Sequence, residues 1–151
     1  MKILLLGVGK TKQAFLIEGI NQYIKQTSPY AKIEELYLKE ESERADGIDL
    51  ECDKILKAIP NGYYKIVLER TGSQLSSEEL AAAIENSMLK SYGGIVFIIG
   101  GHLGINEKLK KQADLLLSFS KATFTHQMIR LFLTEQIYRA FTILNNKTYH
   151  R

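Results

Sequence analysis

Five apolar runs of strand length, separated by stretches with helical spacing, constrain this chain more than anything else in it. The runs are Ile3 to Val8, Ile33 to Leu38, Lys65 to Leu68, Ile95 to Ile99 and Leu115 to Leu117. Between them apolar residues return at helical intervals: Phe15, Ile20, Tyr23 and Ile24 in one stretch, and Leu80, Ala83, Ile84 and Met88 in another. The second of these opens with Ser76 and Glu79 in the spacing of a capping box. Strand and helix alternating in this way predict an α/β fold, a mainly parallel sheet with helices on both faces.

The segment from Lys39 to Asn61 reads as a loop and then a helix, closed by Pro60, Asn61 and Gly62. A last helix, from about His126 to Leu144, carries Ile129, Phe132, Leu133, Ile137, Ala140, Phe141 and Leu144 on one broad face. Met128, Leu131 and Tyr138 fall outside that face. A helix that is apolar on more than one side is buried more than once, which points to a subunit interface. With 151 residues and no linker-like stretch, the chain is expected to form one domain with its own core.

Composition narrows the function mainly by exclusion. The single Cys52 cannot form an internal disulfide, and Asp49, Glu51 and Asp53 around it raise a thiol pKa, which fits a reducing cytoplasm. The opening ILLLGVG stops at Lys10 without a cleavage pattern and reads as a buried strand; no apolar stretch approaches the roughly 18 residues that cross a bilayer. The net charge of +3 is unevenly spread: residues 101 to 151 hold eight Lys or Arg against three acids, and residues 1 to 100 hold 12 against 14. A basic carboxyl-terminal third suits a phosphate backbone, and solvated helix faces equally well. Gly100 to Gly104 reads GGHLG, and Gly7 and Gly9 lack a third glycine, so neither is a dinucleotide fingerprint. With no phosphate loop, no paired cysteines and no helix bearing two histidines, phosphate-loop and zinc chemistry are disfavoured and no metal is expected.

In open α/β sheets, ligands collect beyond the carboxyl ends of the strands. Three such ends stand out: Leu68 to Gly72, Gly100 to Gly104, and Phe119, Ser120, Lys121, Ala122, Thr123 and Phe124. Glycines directly after a buried strand let a flat ligand approach the main chain, although a tight turn uses them too. Of the three histidines, His102 lies in the glycine run, His126 opens the last helix and His150 lies in the tail Tyr149, His150, Arg151. An aromatic ring, an imidazole and a guanidinium together can stack on a base, accept a proton and grip a phosphate, whereas a frayed terminus would need none of them.

Taken together, MKILLLGVGK, SPYAKIE, LSSEELA, IVFIIGGHLG, LSFSKATF, HQMIRLFLTEQIYRAF and the tail YHR resemble the RlmH (YbeA) family of SPOUT-class methyltransferases over essentially the whole chain. The resemblance implies S-adenosylmethionine-dependent methylation of N3 of a pseudouridine in 23S ribosomal RNA, on assembled large subunits or ribosomes. It also implies a homodimer and a carboxyl-terminal trefoil knot. Carried over by motif, the cofactor site comprises Leu68, Gly100, Phe119, Ser120, Lys121, Ala122, Thr123 and Phe124, and the catalytic residues are Tyr149, His150 and Arg151. This chain departs from the family pattern at three places: Thr125 replaces a proline before His126, Asn146 replaces a glycine before the tail, and Ser73 replaces a frequent lysine. Thr is a good helix cap and Asn tolerates the left-handed conformation, while Ser73 puts any phosphate contact at that place in doubt. Two other classes compete on the residues alone: a nucleotide-binding oxidoreductase, whose fingerprint is missing, and a non-catalytic ribosome- or RNA-binding module, which needs neither cofactor loop nor tail.

Overall fold

The computed structural model describes residues 1–147. In chain order the elements are β1 (Lys2–Val8), α1 (Ala14–Thr27), β2 (Lys32–Leu38), α2 (Gly47–Ala58), β3 (Tyr63–Gln74), α3 (Ser77–Leu89), β4 (Gly94–Ile99), α4 (Glu107–Lys111), β5 (Leu115–Ser118) and α5 (His126–Leu144). The five strands form one parallel sheet in the order β2-β1-β4-β3-β5.

β1 and β4 are buried along their length apart from Lys2, as an unbroken apolar run requires, because side chains alternate between two faces that must both be covered. Ile3, Leu5, Ile95, Phe97 and Ile99 share one core with Leu80 and Ile84 of α3 and Leu133, Ile137 and Phe141 of α5. Leu4, Leu6, Val8, Val96 and Ile98 share the other with Cys52 and Ile55 of α2 and Leu109 of α4. Helices therefore cover both faces, as the alternation predicts. No helix of the described residues is long and apolar enough to cross a membrane.

Three local readings need correction. In α1 Leu16 and Ile20 are buried, whereas Phe15 is 60% exposed. In α3 the buried positions are Leu80, Ala81, Ile84 and Ser87, and Met88 is about half exposed, so the stripe is rotated from the one periodicity suggests. β3 does not end at Leu68 but stays extended to Gln74. It pairs β5 in two registers, with Leu68 and Ser73 both opposite Leu117. Glu69, Arg70, Thr71 and Gly72 lie between them. These residues carry no apolar alternation, so no strand signal exists to read; contact with β5 holds them instead. A Cβ on Gly72 would sit 2.7 Å from the Leu116 carbonyl oxygen, and Ser118 Oγ lies 2.9 Å from Arg70 O.

α5 meets its several neighbours within the chain. The sheet lies beneath it, Gly19 of α1 lets Leu131 pack close on one flank, and Ser77 Oγ lies 2.7 Å from Gln136 Oε1 on the flank facing α3. Part of its apolar breadth is thus met within the chain, while Met128, Leu131, Phe132 and Tyr138 stay partly exposed. Both ends behave as the residue types suggest. Thr125 Oγ1 accepts the Met128 amide at 3.2 Å, completing an N-cap. At the other end Asn146 adopts φ +54°, with Asn146 N donating to Ile143 O at 3.0 Å and Lys147 N to Thr142 O at 2.8 Å, a Schellman closure.

Candidate active site

β4 delivers the chain from a fully buried strand into a turn that needs glycine at its two ends. A Cβ on Gly100 would lie 2.8 Å from Ile105 Cγ1 and 3.0 Å from Gly104 O, while Gly104 itself has φ +86°. The Gly104 amide donates to Gly101 O at 3.1 Å and closes the turn. From β4 the chain must pass the end of β3 to reach β5, which lies on the far side of it. The ends of these three strands thereby enclose one cleft of about 660 Å³.

Leu68, Gly100, Phe119, Ser120, Ala122, Thr123 and Phe124 all line this cleft, with Ile99, Ile105 and Leu117 supplying apolar wall. Lys121 does not line it and is exposed. Ser120 Oγ accepts the Ala122 amide at 3.0 Å, and Ser118 Oγ sits 3.0 Å from Ser120 O, so the loop after β5 is shaped by its own hydroxyls. Phe124 meets Phe132 edge-on with ring centroids 5.2 Å apart. Tyr149, His150 and Arg151 lie outside the described residues.

Two histidines also line the cleft. His102 Nε2 lies 3.4 Å from Glu43 Oε1 and His126 Nε2 lies 3.9 Å from Glu40 Oε1, pairs that become ionic when the imidazole is protonated. Burial lowers the His126 pKa, helped by the Arg130 charge and opposed by Glu40. Gln127 Oε1 accepts the Lys12 amide at 2.8 Å, which ties the loop after β1 to the rim. On the other face, burial is the main cause that raises the Cys52 thiol pKa, with Asp49, Glu51 and Asp53 adding to it. Among the described residues no cluster of His, Cys, Asp or Glu is arranged to hold a metal ion.

Two residues escaped the sequence reading. Arg130 is fully buried and donates to Val8 O at 2.7 Å, Gly9 O at 2.6 Å and Thr11 Oγ1 at 3.0 Å, with its guanidinium 4.0 Å above the Tyr37 ring. Glu51 is buried with one oxygen unpartnered. Arg130 stands three residues before Leu133 and seven before Ile137, on the buried stripe of α5, and that position was the available signal.

A cleft of this volume, floored by glycine and walled by apolar side chains with loop backbone around it, falls within the range of small-molecule sites, roughly 300–1,000 Å³. Such a fold and site are those of an α/β protein with room for a flat, nucleoside-sized ligand at its strand ends. The chain belongs to the SPOUT methyltransferase family: the family model described as "Predicted SPOUT methyltransferase" matches residues 1–150. Over 159 aligned positions, and with both chains covered in full, it is 41% identical to Ribosomal RNA large subunit methyltransferase H of Halothermothrix orenii. It is 42% identical, also with both chains covered in full, to the proteins of the same name from Finegoldia magna and Streptococcus thermophilus. A solved structure, "a probable methylase family protein from Haemophilus influenzae Rd KW20", matches with a TM-score of 0.55 at 12% identity, covering 99% of this chain and 70% of that one, a likeness of fold. The family's methyl donor is S-adenosylmethionine, and the glycine floor and apolar walls fit its adenosine.

Proposed function

We propose that this chain methylates N3 of a pseudouridine in 23S ribosomal RNA with S-adenosylmethionine held in the strand-end cleft. It acts on assembled large subunits or ribosomes, as a cytoplasmic homodimer of one SPOUT domain, without a metal. The observation that carries the reading is the meeting of three strand ends in a single glycine-floored cleft. Full-length likeness to proteins named Ribosomal RNA large subunit methyltransferase H supports it, and favours catalysis over a binding module.

When bound, the cofactor supplies a methyl group on a sulfonium. The chain's part is to exclude water and hold that group in line with a ring nitrogen. Transfer between a cation and an anion neutralises both, so a dry, aligned site lowers the barrier. Leu68, Gly100 and the run Phe119, Ser120, Lys121, Ala122, Thr123 and Phe124 hold the cofactor, with Phe119 and Phe124 as walls and backbone groups reading the adenine. Lys121 takes part through its backbone, since its side chain is exposed. Tyr149 orients the base, Arg151 stabilises the imide anion, and His150 receives the N3 proton directly or through water. The chain's passage from β4 past β3 to β5 suits the trefoil knot that the family implies. Phe15 and Phe124, both large and exposed, offer apolar surface for the partner subunit.

The decisive experiment incubates the protein and labelled cofactor with ribosomes or large subunits lacking the modification, beside free ribosomal RNA, and maps the label. Label at one pseudouridine of the assembled particle is the expected result; its absence, with cofactor binding intact by calorimetry, sinks the activity. Deleting Tyr149 to Arg151 should abolish methylation and spare cofactor binding. If methylation survives, the tail has no such role.

A further inference from the structure

Glu51 lies on the buried face of α2, 1% exposed, and takes no part in the chemistry above. Its Oε1 accepts the Glu41 amide at 2.9 Å, whereas Oε2 is buried and has no hydrogen-bond partner. A carboxylate oxygen taken out of water without a donor is costly, and its presence calls for an explanation. Oε2 faces the cofactor turn: a Cβ on Gly101 would stand 3.1 Å from it. A side chain at that position would crowd the carboxylate and Val8 alike.

Glu51 thus stands between two segments of the cleft. On one side is the acidic stretch 39–46, whose Glu40 and Glu43 carboxylates lie 3.9 and 3.4 Å from His126 and His102. On the other is the Gly100 to Gly104 turn that floors the cleft. The same helix holds the far end of that turn, since Cys52 Sγ accepts the Asn106 amide at 3.4 Å. The turn is therefore tied to β4 at its start and to α2 at its end, with the free carboxylate oxygen beside Gly101.

We propose that Glu51 is a positioning residue for cofactor binding. Its free oxygen takes a backbone N–H of the Gly101–Gly104 turn as the turn settles onto S-adenosylmethionine, while Oε1 keeps the acidic stretch docked behind it. No proton moves, and the carboxylate acts only as acceptor. The proposal rests on the cofactor reading of the cleft.

Glu51→Gln and Glu51→Leu test it. Glutamine offers one acceptor oxygen in place of two and leucine offers none, so the first releases one segment and the second both. By calorimetry the cofactor should bind about tenfold more weakly to Glu51→Gln, and more weakly still to Glu51→Leu. The melting temperature of Glu51→Leu should hold, because removing an unsatisfied buried carboxylate offsets the lost bond from the Glu41 amide. At saturating cofactor the methylation rate should return to near the wild-type value, an effect on KM and not on kcat. In the wild type, added cofactor should slow hydrogen exchange across residues 100–105, and both variants should lose that slowing. Unchanged affinity in both variants overturns the proposal, and so do affinity and melting temperature falling together, the mark of a merely structural residue. A wild type unable to bind the cofactor would overturn both readings; one that binds while the variants bind equally well overturns this one alone.

Discussion

Arg130 ties the loop after β1 to the last helix through three hydrogen bonds and the face of Tyr37. Burial pulls its pKa down, yet a guanidinium stays charged, so the cost of desolvating it is met by the Val8 and Gly9 carbonyls. Arg130→Lys keeps that charge buried and loses the planar fork, so urea unfolding should show a loss of about 2 kcal/mol. His126, one turn earlier, is held below its ordinary pKa by burial and by Arg130, so the folded state prefers the neutral imidazole. Stability from that preference is complete above about pH 6.5 and is lost as pH falls through the lower folded-state value. Thermal unfolding should therefore depend more steeply on pH, between about 7 and 5, in the wild type than in His126→Asn. Both side chains were visible in the sequence as a cation and an imidazole on a helix. What was not visible was that β1 ends directly beneath them.

At the scale of elements, legibility followed the physical cause of each. β1 and β4 could be read because burial on both faces demands unbroken apolar runs. The end of β3 could not, because Glu69 to Gln74 are kept extended by a neighbouring strand and not by their own side chains. α2 hid Glu51 for a related reason: its buried positions, Gly47, Glu51, Cys52 and Ile55, include an acid and a glycine, so its stripe has no clear phase in the sequence. The caps were legible, since Thr125 and Asn146 act locally. Thr125→Ala should cost about 1 kcal/mol in chemical denaturation, and Asn146→Gly should stabilise by a few tenths, roughly 0.5 kcal/mol, because glycine meets φ +54° without strain. Gly72→Ala is far less tolerable. Its new methyl would meet Leu116 and Leu117 backbone atoms at 2.7 to 2.9 Å, and backbone cannot swing aside.

Across the whole molecule, the convergence of strand ends was readable because chain order and parallel pairing leave few ways to arrange five strands. Lys12 is exposed on the loop whose backbone binds Gln127 at the cleft rim, a place where a phosphate backbone would pass. Binding to ribosomes should weaken steeply with salt, and Lys12→Ala should reduce the slope of log affinity against log salt by about one if that side chain meets a phosphate. An unchanged slope would place the RNA elsewhere.

The paired registers at Leu117 bear on how such a chain can vary through descent. Leu68 and Ser73 are both pinned to one residue, so the stretch between them is a spacer whose length the sheet itself counts. Losing or gaining a residue there cannot be absorbed by slippage, because sliding by one residue turns every later side chain of the strand to the opposite face. The exposed residues of the acidic stretch before α2 have no such double anchor. Insertions and deletions should accumulate there, and the stretch after Leu68 should keep its length even where its residues change.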